Sequence, residues 1–261
     1  MNLIIRKEIE ENIKGLIIWS VSMAALVLIM AMLFDSMKSD ISNMMASFPQ
    51  GMLKAFGMEA APMNRLEGFY SQGYIVVVLM GAMYSAYLGA SILVKEEDEG
   101  SIEYLMSKPF KRIEIYGAKY ISLVIIIVFF NIIVALATII GALIFGGHSY
   151  SKEAIYLMAI APTLVHLTFG TLCYGIASLL RKNRQAVSLS IGIVSIFYSL
   201  SLLRGVSSKL DILKDYSIFD YINSNVVTVD KYIEPYHIII MFGIMIISLV
   251  VGAIIYNKKD F

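Results

Sequence analysis

The sequence predicts an all-α membrane protein with six transmembrane helices, and three observations predict it. The chain has 261 residues, 58% of them hydrophobic, with a mean hydropathy of +0.75. Soluble domains run nearer 45–50% apolar. The excess is concentrated in six runs, 16–34, 74–94, 121–145, 154–180, 186–203 and 237–256, none of which contains Asp, Glu, Lys or Arg. Each is about the length needed to cross a hydrocarbon core of ~30 Å. The runs are continuously apolar and do not alternate, which argues against a closed β-barrel. Helices satisfy every backbone group inside lipid, so the runs are read as helices in a single domain spanning 1–261.

The elements follow in chain order. Residues 3–14 read as an interfacial helix. Ile5, Ile9, Ile13 and Leu16 recur at helical spacing, with Arg6, Lys7, Glu10, Glu11 and Lys14 on the other faces. This start is too charged for a cleavable signal peptide, and the apolar run after it too long, so the first span is expected to stay as an anchor. Residues 35–73 form the first loop. Ile41, Met44, Met45 and Phe48 make one apolar stripe, and Met52, Leu53 and Phe56 make another after Pro49. Two short amphipathic helices on the outer surface are expected there. Gly81, Ser85 and Gly89 in the second span form a small-residue face, as do Ser188, Gly192, Ser195 and Ser199 in the fifth. Such faces allow close helix approach, to a neighbour or to a second subunit. Pro162 is a candidate kink in the fourth span. The loop 204–236 is mixed in charge and aromatic, and is expected to be partly ordered.

An even number of spans puts both termini on one side. With the termini inside, 13 of the 21 Lys and Arg fall in about 50 inner positions and 8 in about 80 outer ones. The positive-inside rule therefore places both termini in the cytoplasm.

Several functions are excluded or left without support. Cys173 is the only cysteine, so no internal disulfide or multi-cysteine metal site can form. There is no H-E-x-x-H, no G-x-S-x-G and no Walker A sequence, so no metal site, cofactor or nucleotide is expected on this chain, which is not read as an enzyme. The net charge of +1 does not point to nucleic acid. Within the spans the polar residues are sparse. Asn131 and His166, with Ser195 and Ser199, are candidates for a substrate path. His166 shares a face with Thr163, Gly170, Cys173 and Ala177, which equally suits helix packing.

The loop 95–119 is the most charged segment, with five basic and six acidic residues. Gly100 is positioned to end the second helix and Ser101 to cap a new one. Ile102, Leu105 and Met106 then share a face, and Pro109 closes the helix after barely two turns. The segment 112–119 leads into the third span.

The string Glu96-Glu97-Asp98-Glu99-Gly100-Ser101-Ile102-Glu103, then Leu105-Met106-Ser107-Lys108-Pro109, then Arg112-Ile113-Glu114 and Lys119, resembles the cytoplasmic signature of ABC-2 type transporter permeases. Ser101 stands where Thr is common. The interfacial helix, the six spans and the Met- and Phe-containing first loop agree along the whole chain. The resemblance implies two six-span subunits, each docked on one copy of a separate ATPase chain that binds ATP and Mg²⁺. The helix after the second span would be the coupling helix, with Ile102, Leu105 and Met106 as its apolar contact. Glu96, Glu97, Glu99 and Glu103 would pair with basic residues of the ATPase or of the interfacial helix. Permeases of this size often export amphipathic peptides, hydrophobic drugs or antibiotics, and the apolar, Met-rich spans suit such cargo. Two other classes remain open: an intramembrane enzyme built on Asn131 and His166, and a membrane anchor that recruits a soluble protein without transport.

Overall fold

Six long helices account for the six apolar runs. The structure is a computed structural model that describes residues 2–47, 65–103, 110–147, 150–206, 216–223 and 226–259. The helices are α1 (Asn2–Ser47), α2 (Leu66–Asp98), α3 (Arg112–Phe145), α4 (Lys152–Ala177), α5 (Asn183–Val206) and α6 (Pro235–Lys258). All six are long and apolar enough to cross a membrane, and no strand occurs among the described residues.

Helix α1 departs from the expected division into an interfacial piece and a span. It runs unbroken for 46 residues, about 69 Å at 1.5 Å per residue. Its buried stripe explains the continuity. Ile4, Glu8, Ser20, Met23, Val27, Ala31 and Phe34 are buried, with Asn12 and Leu16 half-buried between them. That is one face at three- and four-residue spacing from end to end. The packed face thus lies one residue away from the expected Ile5, Ile9 and Ile13 stripe, and Ile13 is exposed. The expected outer-surface helix at Ile41, Met44 and Met45 is the continuation of α1. Phe48 and the stripe at Met52, Leu53 and Phe56 lie outside the described residues. The segment 112–119 is likewise the start of α3.

Helices α2 and α4 form the centre of the bundle, with α3 beside both. Their seam is close. A Cβ on Gly89 would collide with the Gly170 carbonyl oxygen, and one on Gly81 with the His166 ring. The Gly81, Ser85 and Gly89 face is therefore consumed inside the subunit. A second such crossing, at Gly175 and Gly252, joins α4 to α6. Helix α4 continues as helix through Pro162.

The outer faces of α1, α3 and α6 are apolar and uncovered: Ile17 and Ile18, Phe129 and Leu136, Ile246 and Ile247 are exposed. Lipid is the solvent such surfaces require. The described part of the segment between α5 and α6 is buried more deeply than expected. Its 3₁₀ turn Ile218–Ile222 is wholly buried. Ser217 Oγ donates to Phe197 O at 2.8 Å, about 14 Å back from the end of α5. Phe219 packs on Phe169 and Tyr198 with ring centroids 5.2 and 5.8 Å apart. The chain thus turns back into the bundle, where protein rather than lipid surrounds its irregular backbone.

Candidate coupling site at the polar end

The ends of five helices meet at one end of the bundle, around the root of the 95–119 loop. Three charged residues there are almost completely buried: Glu8 on α1, Glu96 at the end of α2 and Lys119 on α3. Lys119 Nζ lies 2.6 Å from Glu96 Oε2 and 3.0 Å from Glu8 Oε1, and donates to Ile92 O. Lys95 Nζ lies 2.7 Å from Glu8 Oε2 and also pairs with Glu11. Lys7 reaches Glu96 Oε1 and Glu11 Oε1, each at 3.5 Å. Three lysines and three glutamates therefore pin α1, α2 and α3 together. Buried charges persist only when paired in this way. The exposed Arg6–Glu10 pair on the same helix contributes little by comparison.

A second knot lies alongside. Lys259 Nζ donates to Glu97 Oε2 and to Leu180 O, both at 2.6 Å, and Arg181 lies 3.6 Å from Glu97. Arg112 Nη1 donates to Lys259 O at 2.6 Å and Asn257 O at 3.2 Å. Arg112 thereby supplies donors to carbonyls that the end of α6 leaves open. Glu114 accepts from the Lys111 backbone N at 2.8 Å and caps α3. The two termini and the 95–119 loop therefore share one end of the molecule.

The turn out of α2 forms as expected at Gly100, whose φ of 72° is left-handed. Gly100 N donates to Glu97 O at 3.3 Å and Ser101 N to Glu96 O at 2.9 Å, the two bonds of a Schellman motif. Ser101 Oγ donates back to Glu96 O at 3.5 Å, and residue 104, whose N–H the expected cap would hold, lies outside the described residues. Helix resumes at Ile102 and Glu103. Leu105, Met106 and Pro109 lie outside the described residues.

The expected contact residues separate into two groups. Ile102 is buried against Ile4, Ile115 and Ala118, with Ile5 and Phe110 beside them. It anchors the loop to α1 and α3, which corrects its placement on the ATPase-facing surface. Glu96 and Glu97 are turned inward to the lysines, so their partners are in this chain. Glu99 and Glu103 are exposed. Glu8 and Lys95 were not among the expected site residues, and Lys119 entered only as part of the resembling motif. Their signal was weak but present: Glu8 falls four residues after Ile4 on the face that α1 carries into its span.

Among the expected path residues, Asn131 and His166 lie in the packed seam of α2, α3 and α4. His166 Nδ1 is 2.8 Å from Asn131 Oδ1 and its Nε2 is 3.0 Å from Val78 O. Asn131 Nδ2 donates to Ile127 O at 2.8 Å. Both are buried, and their partners are the packed helices themselves. This corrects their assignment to an open path and removes the residues on which an intramembrane enzyme was built. Ser195 is half-buried and Ser199 exposed, with hydroxyls that donate to Ile191 O and Ser195 O of their own helix. A Cβ on Gly192, on the same face, would meet nothing within 4 Å. Among the described residues, nothing covers that face of α5. No group of three or more His, Cys, Asp or Glu suited to a metal occurs among the described residues.

Six apolar helices, with the charged loop and both termini tied at one end, define a multi-pass helical membrane protein of the kind that transporters use as their transmembrane component. Comparison with family models assigns it further: the ABC-2 family transporter protein model matches residues 2–261. The chain belongs to the ABC-2 family and is a permease of an ABC transporter, whose partner is an ABC ATPase subunit. Comparison with curated proteins finds no match.

Proposed function

We propose that this permease is the transmembrane half of an exporter, driven through its 101–109 segment by a separate ATPase, with amphipathic peptides or hydrophobic drugs or antibiotics as cargo. The observation that supports the coupling role is the anchoring of the loop root. Glu96 and Glu97 are clamped to Lys119 and Lys259, and Ile102 is seated on Ile4 and Ile115. A push delivered to this loop would therefore be passed to α1, α3, α4 and α6 through these anchored residues. The ATPase binds and hydrolyses ATP. The concentration of basic residues on this end supports a cytoplasmic position for both termini. Leu105→Asp should leave the permease folded in the membrane, abolish its co-purification with the ATPase and stop transport. Normal co-purification and transport by that variant would remove the coupling role.

The assembly we propose is a homodimer carrying two ATPase copies. The uncovered small-residue face at Ser188, Gly192, Ser195 and Ser199 supports it, because the equivalent face on α2 is already used internally. Native mass measurement of the purified complex is expected to give two permeases and two ATPases, and Ser195→Leu should shift it towards single permeases. One permease per complex, or two different ones, would exclude the homodimer.

A further inference from the structure

Just above the ion cluster, α1 and α2 part and leave a cleft of about 330 Å³. Glu11, Asn12, Gly15 and Trp19 line it from α1, and Tyr84 and Tyr87 from α2. The opening has a local cause: Gly15 carries no side chain, and a Cβ built there would meet nothing within 4 Å. The wall on the other side is fixed. Tyr84 is held between Trp19, whose ring centroid lies 5.2 Å away at an interplanar angle of 25°, and Phe130 at 5.1 Å. Tyr84 is only 2% exposed, yet its hydroxyl has no hydrogen-bond partner among the described residues.

The chemistry of the lining selects an occupant. Asn12 Nδ2 donates one of its two N–H groups to Glu8 O at 2.8 Å, and its carbonyl oxygen is an acceptor available to a ligand. Glu11 offers carboxylate oxygens. Trp19 is half-buried and Tyr87 43% exposed, and both present aromatic rings to the cleft. No lysine or arginine lines it. An anionic head group would face a carboxylate and two ring faces, all negative. An ammonium would find acceptors and π faces together. Glu11 is already paired with Lys95 and Lys7, so the rings and neutral acceptors carry most of the preference. Exposed Ile17 and Ile18 continue α1 towards lipid on the span side.

We propose that the α1–α2 cleft binds membrane-dissolved cationic amphiphiles, with the ammonium head against Trp19, Tyr87, Glu11 and Asn12 and the alkyl tail directed into lipid. Binding at this cleft needs neither ATP nor transport, so it stands or falls separately from the export reading.

Trp19 is the only tryptophan of the chain, so its emission reports directly on the cleft. The full-length permease in phosphatidylglycerol liposomes is titrated with decyltrimethylammonium, with decyl sulfate and tetramethylammonium as comparators. The expected result is a saturable change in Trp19 emission with decyltrimethylammonium alone. Gly15→Leu fills open space without a clash and should weaken the saturation midpoint about tenfold, and Tyr87→Leu, at an exposed ring, about threefold. A non-saturating change, the same in the wild type and in Gly15→Leu, would mean partitioning into lipid and overturn the site. Equal saturable binding of decyl sulfate would overturn its charge preference.

Discussion

Lys119→Met is expected to be among the most damaging single substitutions in this protein. It leaves Glu96 without its closest cation and Glu8 dependent on Lys95 alone, with both carboxylates still buried. Removing one partner of a buried charge pair costs about 3–5 kcal/mol. The loss should appear as a sharply lowered temperature for retention of the monodisperse peak in detergent. The double variant Lys119→Met with Glu96→Gln should recover much of it, because it removes the stranded charge and leaves Glu8 paired with Lys95. Such recovery is the non-additivity expected of groups in one network. A single variant as stable as the wild type would show that the buried charges do not hold this end together.

Gly89→Val should be comparably severe for a different reason. Its new Cβ meets a backbone oxygen, Gly170 O, and backbone cannot rotate aside as a side chain can. Either α2 and α4 part or the residue is not accommodated. Overpacking usually costs 1–3 kcal/mol, and with no side chain able to yield we expect about 3 kcal/mol or more. Gly243→Val, on α6, is the matched comparison. It adds the same atoms where nothing lies within 4 Å, so the stability of the subunit should change by only about 0.5 kcal/mol. The same thermal measurement reads both. Equal effects of the two would contradict the packing described for α2 and α4.

The spans were legible because lipid imposes a length and an apolar composition that the bare sequence displays. The turn at Gly100 was legible for a similar reason: it rests on one residue type and its immediate neighbours. What the sequence hid was partnership between distant segments. Glu96 and Lys119 are 23 residues apart, and Glu8 and Lys95 are 87 apart, so their pairing depends on how α1, α2 and α3 cross. Read along the chain, the same residues look like solvated loop charges. The face of α1 was misplaced by one residue because Ile4 and Ile5, and Glu8 and Ile9, are adjacent. Hydrophobicity favours Ile9, while the buried position goes to Glu8, which has two lysines to meet. Ile102 was assigned outward because its helical spacing with Leu105 and Met106 shows a shared face, but not that Ile4 and Ile115 cover its own position. The α1–α2 cleft was invisible for the opposite reason, since it arises where Gly15 leaves a side chain out.

The cluster of Lys7, Lys95 and Lys119 with Glu8, Glu11 and Glu96 sums to zero charge. Each uncompensated charge carried across the full membrane potential would exchange about 2.3 kcal/mol per 100 mV with the field. Moved as a unit, these six groups exchange none. The part of the subunit best braced to transmit a mechanical push is therefore electrically silent. Polarisation of the membrane would neither help nor resist its displacement, and the work done on it would come from the partner that pushes.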